Sequence, residues 1–146
     1  MTKMRIVAHI VRKALFDTLS GNITYSGSVV PVFNHVPTGT SYPFIRIYGE
    51  DEKQDHQNQT SFISQTITKI EVVTRFRGKA GGELQAQQIL DLILQAVRAN
   101  VSSKLSTDSF NNYVTEIPTI TYLTDYGKDH TYYRAIAEIS TQTQQV

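Results

Sequence analysis

The chain has 146 residues and a mass of 16.5 kDa, which is the usual size of one domain with its own core. Fourteen Lys and Arg against 13 Asp and Glu leave a net charge of +1, which argues against a dedicated nucleic-acid binder. With no cysteine, disulfides, Cys-ligated zinc, iron–sulfur clusters and thiol nucleophiles are excluded. Apolar runs are too short for a membrane span and no signal peptide is recognised, so we expect folding in the cytoplasm.

The first half of the chain predicts one helix followed by short strands. Apolar side chains recur at three- and four-residue spacing over 4–19, as in an amphipathic helix, and Gly21 is placed to end it. Residues 28–36 are apolar and β-branched, but Pro31 within them favours an edge strand or a bulge. A loop is expected at 37–41 and a short strand at 43–50.

A long hairpin is predicted next. Residues 51–61 are polar and without periodicity, so we expect an exposed loop there. Residues 64–77 alternate as in a half-buried antiparallel strand. One face carries Thr66, Ile70 and Phe76, whereas the face with Glu71 is expected to be wet. The two strands would then pair, with 51–61 as the polar tip.

The second half predicts a helix and another hairpin. After the Gly-rich segment 78–82, a broad apolar stripe indicates a helix over 83–99. Leu84 and Leu92 fall outside that stripe, so they either contact another subunit or are ordinary surface leucines. Strands at 113–124 and 131–141 flank a turn at 125–129, and the polar tail 142–146 is expected to fray.

These elements predict an α+β fold in one domain, residues 1–146. Hairpin spacing implies a mostly antiparallel sheet, with both helices packed on one face as a two-layer sandwich. The polar hairpin would project from it as an arm.

The search for reactive groups assigns no catalytic, cofactor-binding or metal-ligating residue. Segment 78–82 lacks the spacing of a phosphate loop and is better explained as a turn between strand and helix. No His pair has metal-binding spacing, and His130 with Asp125 and Asp129 fits an ordinary polar turn. We therefore expect a protein that is not an enzyme and holds no cofactor.

Two oppositely charged groups are candidates for an interface. Glu50, Asp51, Glu52 and Asp55 cluster in the polar tip, without the spacing of a calcium loop. Arg75, Arg77 and Lys79 alternate along one strand and so share its wet face. The acidic group of one copy could meet the basic group of the next, and such heterologous contacts close into rings.

The organisation of nearly the whole chain resembles that of the tail terminator, or tail completion, proteins of long-tailed bacteriophages. The resemblance lies in a helix ending at Leu15 to Gly21, a strand that opens Pro43-Phe44-Ile45, and a polar hairpin tip. It continues through the strand from Ile67 to Arg77, the Gln- and Leu-rich helix from Glu83 to Ala99, and a final tyrosine-bearing hairpin.

The resemblance implies a structural virion protein. Its members form a hexameric ring at the head-proximal end of the tail tube, where one face stops tube polymerisation and the other docks on the head connector. The partners would be further copies of this chain, the tube protein, the connector, and phage DNA passing through the ring without sequence-specific binding. The hairpin at 50–64 would be an arm towards a neighbouring subunit or the tube.

Two alternatives remain open at this point. Small neck proteins of the same virions have a similar α+β build, and such a protein would bind the head connector and not the tube. A more remote alternative is a small ligand-binding or enzymatic domain that uses the turn at 125–130.

Overall fold

The computed structural model describes residues 6–55, 63–107 and 110–145. The elements in chain order are α1 (Ala8–Leu19), β1 (Thr24–Tyr25), β2 (Ser28–Val29), β3 (Val32–Phe33), β4 (Phe44–Asp55), β5 (Ile63–Arg77), α2 (Leu84–Thr107), β6 (Phe110–Tyr126) and β7 (His130–Gln145). Strands β1 and β2 form a small hairpin, and the other five form one sheet in the order β3-β4-β5-β7-β6. Only β3 and β4 run parallel, so the predicted α+β fold with a mostly antiparallel sheet is confirmed.

Both helices pack on one face of the sheet because each carries a continuous apolar stripe. Leu15 of α1 and Ile93 of α2 are fully buried, as are Ile47, Ile70 and Ala137 of the sheet. These residues belong to one cluster that excludes water between the layers. The opposite face, which carries Arg46 and Glu71, is called the open face below.

The hairpin strands are longer than the sequence indicated. Residues 51–55 were expected in an exposed loop, but they continue β4 and pair with β5 from Asp51↔Ile67 to Asp55↔Ile63. The loop prediction for 51–61 is therefore wrong for its first five residues, and the remainder lies outside the described residues. Polar side chains are compatible with a strand here because β5 pairs with the backbone on both sides of one register shift, between Tyr48 and Asp51, while Asp51 and Lys53 stay exposed.

The C-terminal tail is also paired, so the prediction that 142–146 frays is wrong for the described part. Gln142, Thr143 and Gln144 lie in β7 between β5 and β6, and the side chain of Thr143 is fully buried. Pairing on both sides satisfies the backbone groups that a frayed tail would leave to water. Helix α2 likewise continues to Thr107, through residues that the sequence indicated only as a polar stretch.

The segment around Pro31 forms short elements, as a proline in a strand favours. The expected strand at 28–36 is divided into β2 and β3, with Pro31 between them. Strand β3 lies at the edge of the sheet, which confirms the edge position that the proline indicated. Helix α1 begins at Ala8, later than the expected residue 4, whose structure lies outside the described residues.

The Gly-rich segment before α2 is a tight turn against an aromatic ring. Gly81 has φ +87°, and a Cβ atom built there would lie 2.3 Å from the ring of Phe76. Gly82 beside it has no atom within 4 Å of its Cβ position. Only the first of the two glycines is therefore required by the backbone and by packing.

We expect Gly81→Ala to lower the free energy of unfolding by about 2 kcal/mol, because the left-handed backbone and the Phe76 ring both oppose a side chain. Gly82→Ala is the matched control and should change it by less than about 0.5 kcal/mol. Urea denaturation followed by circular dichroism measures both. Equal effects of the two substitutions would contradict this account of the turn.

Candidate functional site

An ion-pair network centred on one buried carboxylate lies on the open face, where the sequence indicated a wet surface. Glu71 of β5 is only 2% exposed, which corrects the expectation for that face. Its carboxylate lies 3.1 Å from Arg46, directly opposite on β4, and 3.9 Å from Arg134 of β7. Arg134 also lies 3.3 Å from Asp125 of β6. Four adjacent strands are thereby linked by charge.

Aromatic side chains complete this cluster towards one end of the sheet. Tyr42 contacts the rings of Phe44 and Tyr132 at centroid distances of 5.1 and 5.8 Å. The guanidinium of Arg75 lies over the Tyr42 ring at 4.5 Å, a cation–π contact. A cavity of about 410 Å³ lies among these residues. Its arginines already face Glu71 and Asp125, so this arrangement holds strands together and offers little charge to a ligand.

Sequence reasoning missed the network because strand alternation gives only the face of each residue. The available signal was one charged residue among apolar neighbours in each strand, Arg46 in β4 and Glu71 in β5. It does not show that Arg46 and Glu71 stand opposite one another, which depends on the register of the hairpin.

We expect Glu71→Ala to lower the free energy of unfolding by about 2–3 kcal/mol, because two guanidiniums lose the carboxylate they share. The value lies at the low end for buried pairs because both arginine side chains are more than a third exposed. Glu138→Ala, on the same face of β7, is the control. Thermal and urea unfolding measure both variants, and a stability unchanged by the loss of Glu71 would contradict a structural role.

Glu52, one of the residues expected at an interface, instead caps the N-terminus of α1. Its Oε1 accepts hydrogen bonds from the backbone N–H groups of Val7 and Ala8, at 2.7 and 2.6 Å. These N–H groups belong to the first turn of α1 and have no partner within the helix. Among the residues from Ile6 onward, the N-cap residue Val7 gives α1 no side-chain cap of its own. The carboxylate of a strand residue thus caps the helix. Its negative charge adds to the effect because the N-terminal end of the helix dipole is positive.

We expect Glu52→Ala to destabilise the fold by about 1–2 kcal/mol, the usual loss for a charged helix cap. Asp51→Ala, at the exposed neighbouring position, should have little effect. Helix content by circular dichroism and urea midpoints separate the two. If both variants are equally stable but both alter assembly, Glu52 acts at an interface and the cap is dispensable.

The other expected interface residues lie at two opposite ends of the sheet. Asp51 is exposed on β4 in the hairpin arm, whereas the side chains of Glu50 and Asp55 lie outside the described residues. Arg77 and Lys79 are exposed at the other end of β5. Ten strand residues, roughly 33 Å, separate Ile67, opposite Asp51, from Arg77. One molecule therefore does not bring the acidic and basic groups together.

Two turns are locked together at the basic end, which we define as Arg77, Lys79, Lys128 and His130. The N–H of Gly78 donates to the carbonyl of Asp129 at 2.7 Å, and the Thr131 hydroxyl donates to the carbonyl of Gly78 at 2.6 Å. These bonds hold the cations of both turns on one rim. Arg75 is expected with them, but its contact with Tyr42 directs it into the aromatic cluster.

The two leucines outside the helical stripe of α2 are exposed, and Leu84 is the more open, with 65% of its surface accessible. Leu84 lies at the start of α2, beside Phe76 and Gly81, and so near the basic end. Leu92 lies two turns further along the helix and does not join that group.

A feature that the sequence analysis did not single out is the outer edge of β6. Ile120, Tyr122, Leu123 and Tyr126 are all exposed there, although each is large and apolar. The available signal was the uncharged run Thr119–Thr124, in which the residues of both faces are types that favour a β-strand. Its position at the end of the sheet became clear only from the strand order.

Within residues 6–55, 63–107 and 110–145, no three His, Asp or Glu side chains are grouped as metal ligands would be. No helix in the same ranges is both long and apolar enough to cross a bilayer. Compared with known protein families, the chain matches none, and it matches no curated protein either.

Proposed function

We propose that this chain is the subunit of a ring that caps the head-proximal end of a phage tail tube. In this role the ring, expected to have six copies, stops polymerisation of the tube protein. It then presents the finished tail to the head connector, and DNA passes through its centre. This function is docking. It requires end faces of complementary shape and charge and no reactive group.

The observation that carries this proposal is the two-ended charge of the sheet. The hairpin end carries the segment 50–55, in which four carboxylates stand against Lys53 and Asp51 is exposed, and the basic end carries Arg77, Lys79 and Lys128 against Asp129 on a rigid rim. If copies stand side by side with parallel strand axes, every acidic end lies on one face of the ring and every basic end on the other. Two faces of opposite charge suit a cap that meets one partner on each side.

The lengths of the strands give a second line of support. Strands of 15 to 17 residues span about 50 Å, so one subunit reaches from one ring face to the other. The resemblance of nearly the whole chain to tail terminators supplies the identity of the two partners. A neck protein of the same virion would share the two-faced build but would bind only the connector.

The test adds the purified protein to tube protein that is polymerising. Electron microscopy of tube lengths, and of the ends after gold labelling, should show short tubes with one labelled end. Tubes of unchanged length, together with binding to purified connector, would overturn the cap in favour of the neck protein. Unchanged lengths without connector binding would overturn both.

We expect Arg77→Glu and Lys79→Glu each to weaken docking at one ring face by about tenfold. The new carboxylate would repel the acidic partner surface that a cationic ring face binds. Arg98→Glu, an exposed residue of α2, makes the same charge change away from the basic end and should dock normally. Sedimentation with tubes and with connector measures the loss. Normal docking of both basic-end variants would show that the basic end is not a docking face.

A further inference from the structure

From Thr119 to Thr124, after Pro118 and the register shift that follows Glu116, the outer edge of β6 lacks the charged side chains that usually protect the last strand of a sheet. Within residues 6–55, 63–107 and 110–145, strand β6 pairs only with β7, so no described strand takes up the backbone donors and acceptors on its other side over Thr119–Tyr126. No charged residue occurs from Thr119 to Thr124. Tyr122 is 44% exposed on the helix side, and Leu123 is 42% exposed on the open face. Such an edge is a template for another strand.

The sheet has a second free edge on β4. Strand β3 covers only Ile45 and Arg46, and the side chain of Asn34 donates to the carbonyl of Ile47 at 2.8 Å. Beyond Ile47, the part of β4 from Tyr48 to Lys53 pairs with β5 on its inner side and has no described strand on its outer side.

The directions of the strands make these two edges complementary. Each of β4, β5, β7 and β6 is antiparallel to its neighbour, so β4 and β6 run in opposite directions. A second copy in the same orientation can therefore place its β4 antiparallel to β6 and continue the sheet. A contact between two different edges is heterologous and leaves the opposite edges free for further copies.

A groove beside β4 accommodates the exposed side chains of β6. It lies between α1 and the sheet edge, with a volume of about 310 Å³, and His9, Lys13, Phe16 and Ile47 contribute to its lining. The groove is on the helix side, which is also where Ile120 and Tyr122 project from β6. An aromatic ring with a hydroxyl at its tip matches a groove that has an apolar wall and polar side chains at its rim.

We propose that β6 of one copy pairs with β4 of the next, with Tyr122 entering the groove between α1 and β4. With Thr121 opposite Tyr48, where β4 has no described strand on its outer side beyond the Asn34 contact, the register shift of β4 after Tyr48 sets Thr119 opposite Asp51. The shift of β6 between Glu116 and Thr119 then sets Glu116 opposite Lys53, on the same open face. Opposite charges directly across a strand pair stabilise it and fix its register.

That the paired copies close into a ring rests on the proposed function. The pairing is the contact between neighbouring subunits of that ring. It differs from the contact that the sequence predicted, in which the acidic group of one copy meets the basic group of the next. Copies that stand side by side place acidic ends beside acidic ends and basic ends beside basic ends. The expected hairpin arm keeps a lateral role through Asp51 and Lys53.

The absence of cysteine makes a direct test possible. Thr119→Cys and Asp51→Cys are prepared separately and as a double variant, and mild oxidation is followed by non-reducing electrophoresis. Within one copy, three strand spacings, roughly 14 Å, separate the two edges, which is too far for a disulfide. We expect disulfide-linked dimers in the mixture of single variants, and a ladder of multimers in the double variant.

Controls distinguish the possible arrangements. Thr24→Cys, on the separate β1–β2 hairpin, should not crosslink with Thr119→Cys. Dimers from Thr119→Cys alone would show a two-fold β6–β6 contact and overturn the proposal. A ring of unchanged mass by light scattering without crosslinks would also overturn it, yet leave the tube cap standing. Crosslinked rings that do not shorten tubes would support the pairing and reject the cap.

A charge exchange gives an independent readout of the register. Glu116→Lys should weaken assembly about tenfold, because it places two lysines opposite one another. Adding Lys53→Glu to the same chain restores an opposite pair and should restore the mass. Equal assembly of the single variant, the double variant and the parent would overturn the pairing of these residues.

Discussion

Strand β5 is the constraint on which the rest of the structure depends. All 15 of its residues pair with β7, and ten of them also pair with β4. A strand held on both sides cannot slip by one residue without moving every side chain to the other face. The same register buries Ile70 and Val72 under the helices and sets Glu71 opposite Arg46. Core and ion-pair network therefore stabilise the same alignment, each on its own face.

The length of that pairing also decides where function can lie. Because β5 extends without interruption from the hairpin arm to Arg77, charges at its two ends are separated by most of the molecule. The helices cover one face, and the cluster around Glu71 and Tyr42 occupies the other. The two ends and the two edges stay accessible beside the solvent-facing sides of the helices, and they are the surfaces that the proposed ring would use.

The sequence predicted what local periodicity determines and missed what depends on register. The stripes of α1 and α2, the alternation of β5 and the edge position signalled by Pro31 were readable, because each is set within a few residues. The polar ends of β4 and β7 were read as loop and tail, since Gln and Thr bury little apolar surface. They are strands because β5 lies beside them and supplies backbone partners. The capping role of Glu52 was hidden for the same reason, since 45 residues separate it from Val7.

An exposed edge without charge from Thr119 to Thr124 is a cost to a chain whose net charge of +1 provides little repulsion between copies. A sheet that continues from one copy to the next without closing would grow as a filament, the usual fate of an unguarded edge. Closure into the proposed ring would avoid this, because the uncharged part of every β6 then meets the free part of a β4. The closed ring also leaves polymerisation only to the faces at its two ends. The proposed lateral pairing ends growth in the plane of the ring, and the proposed capping role then concerns only the two end faces.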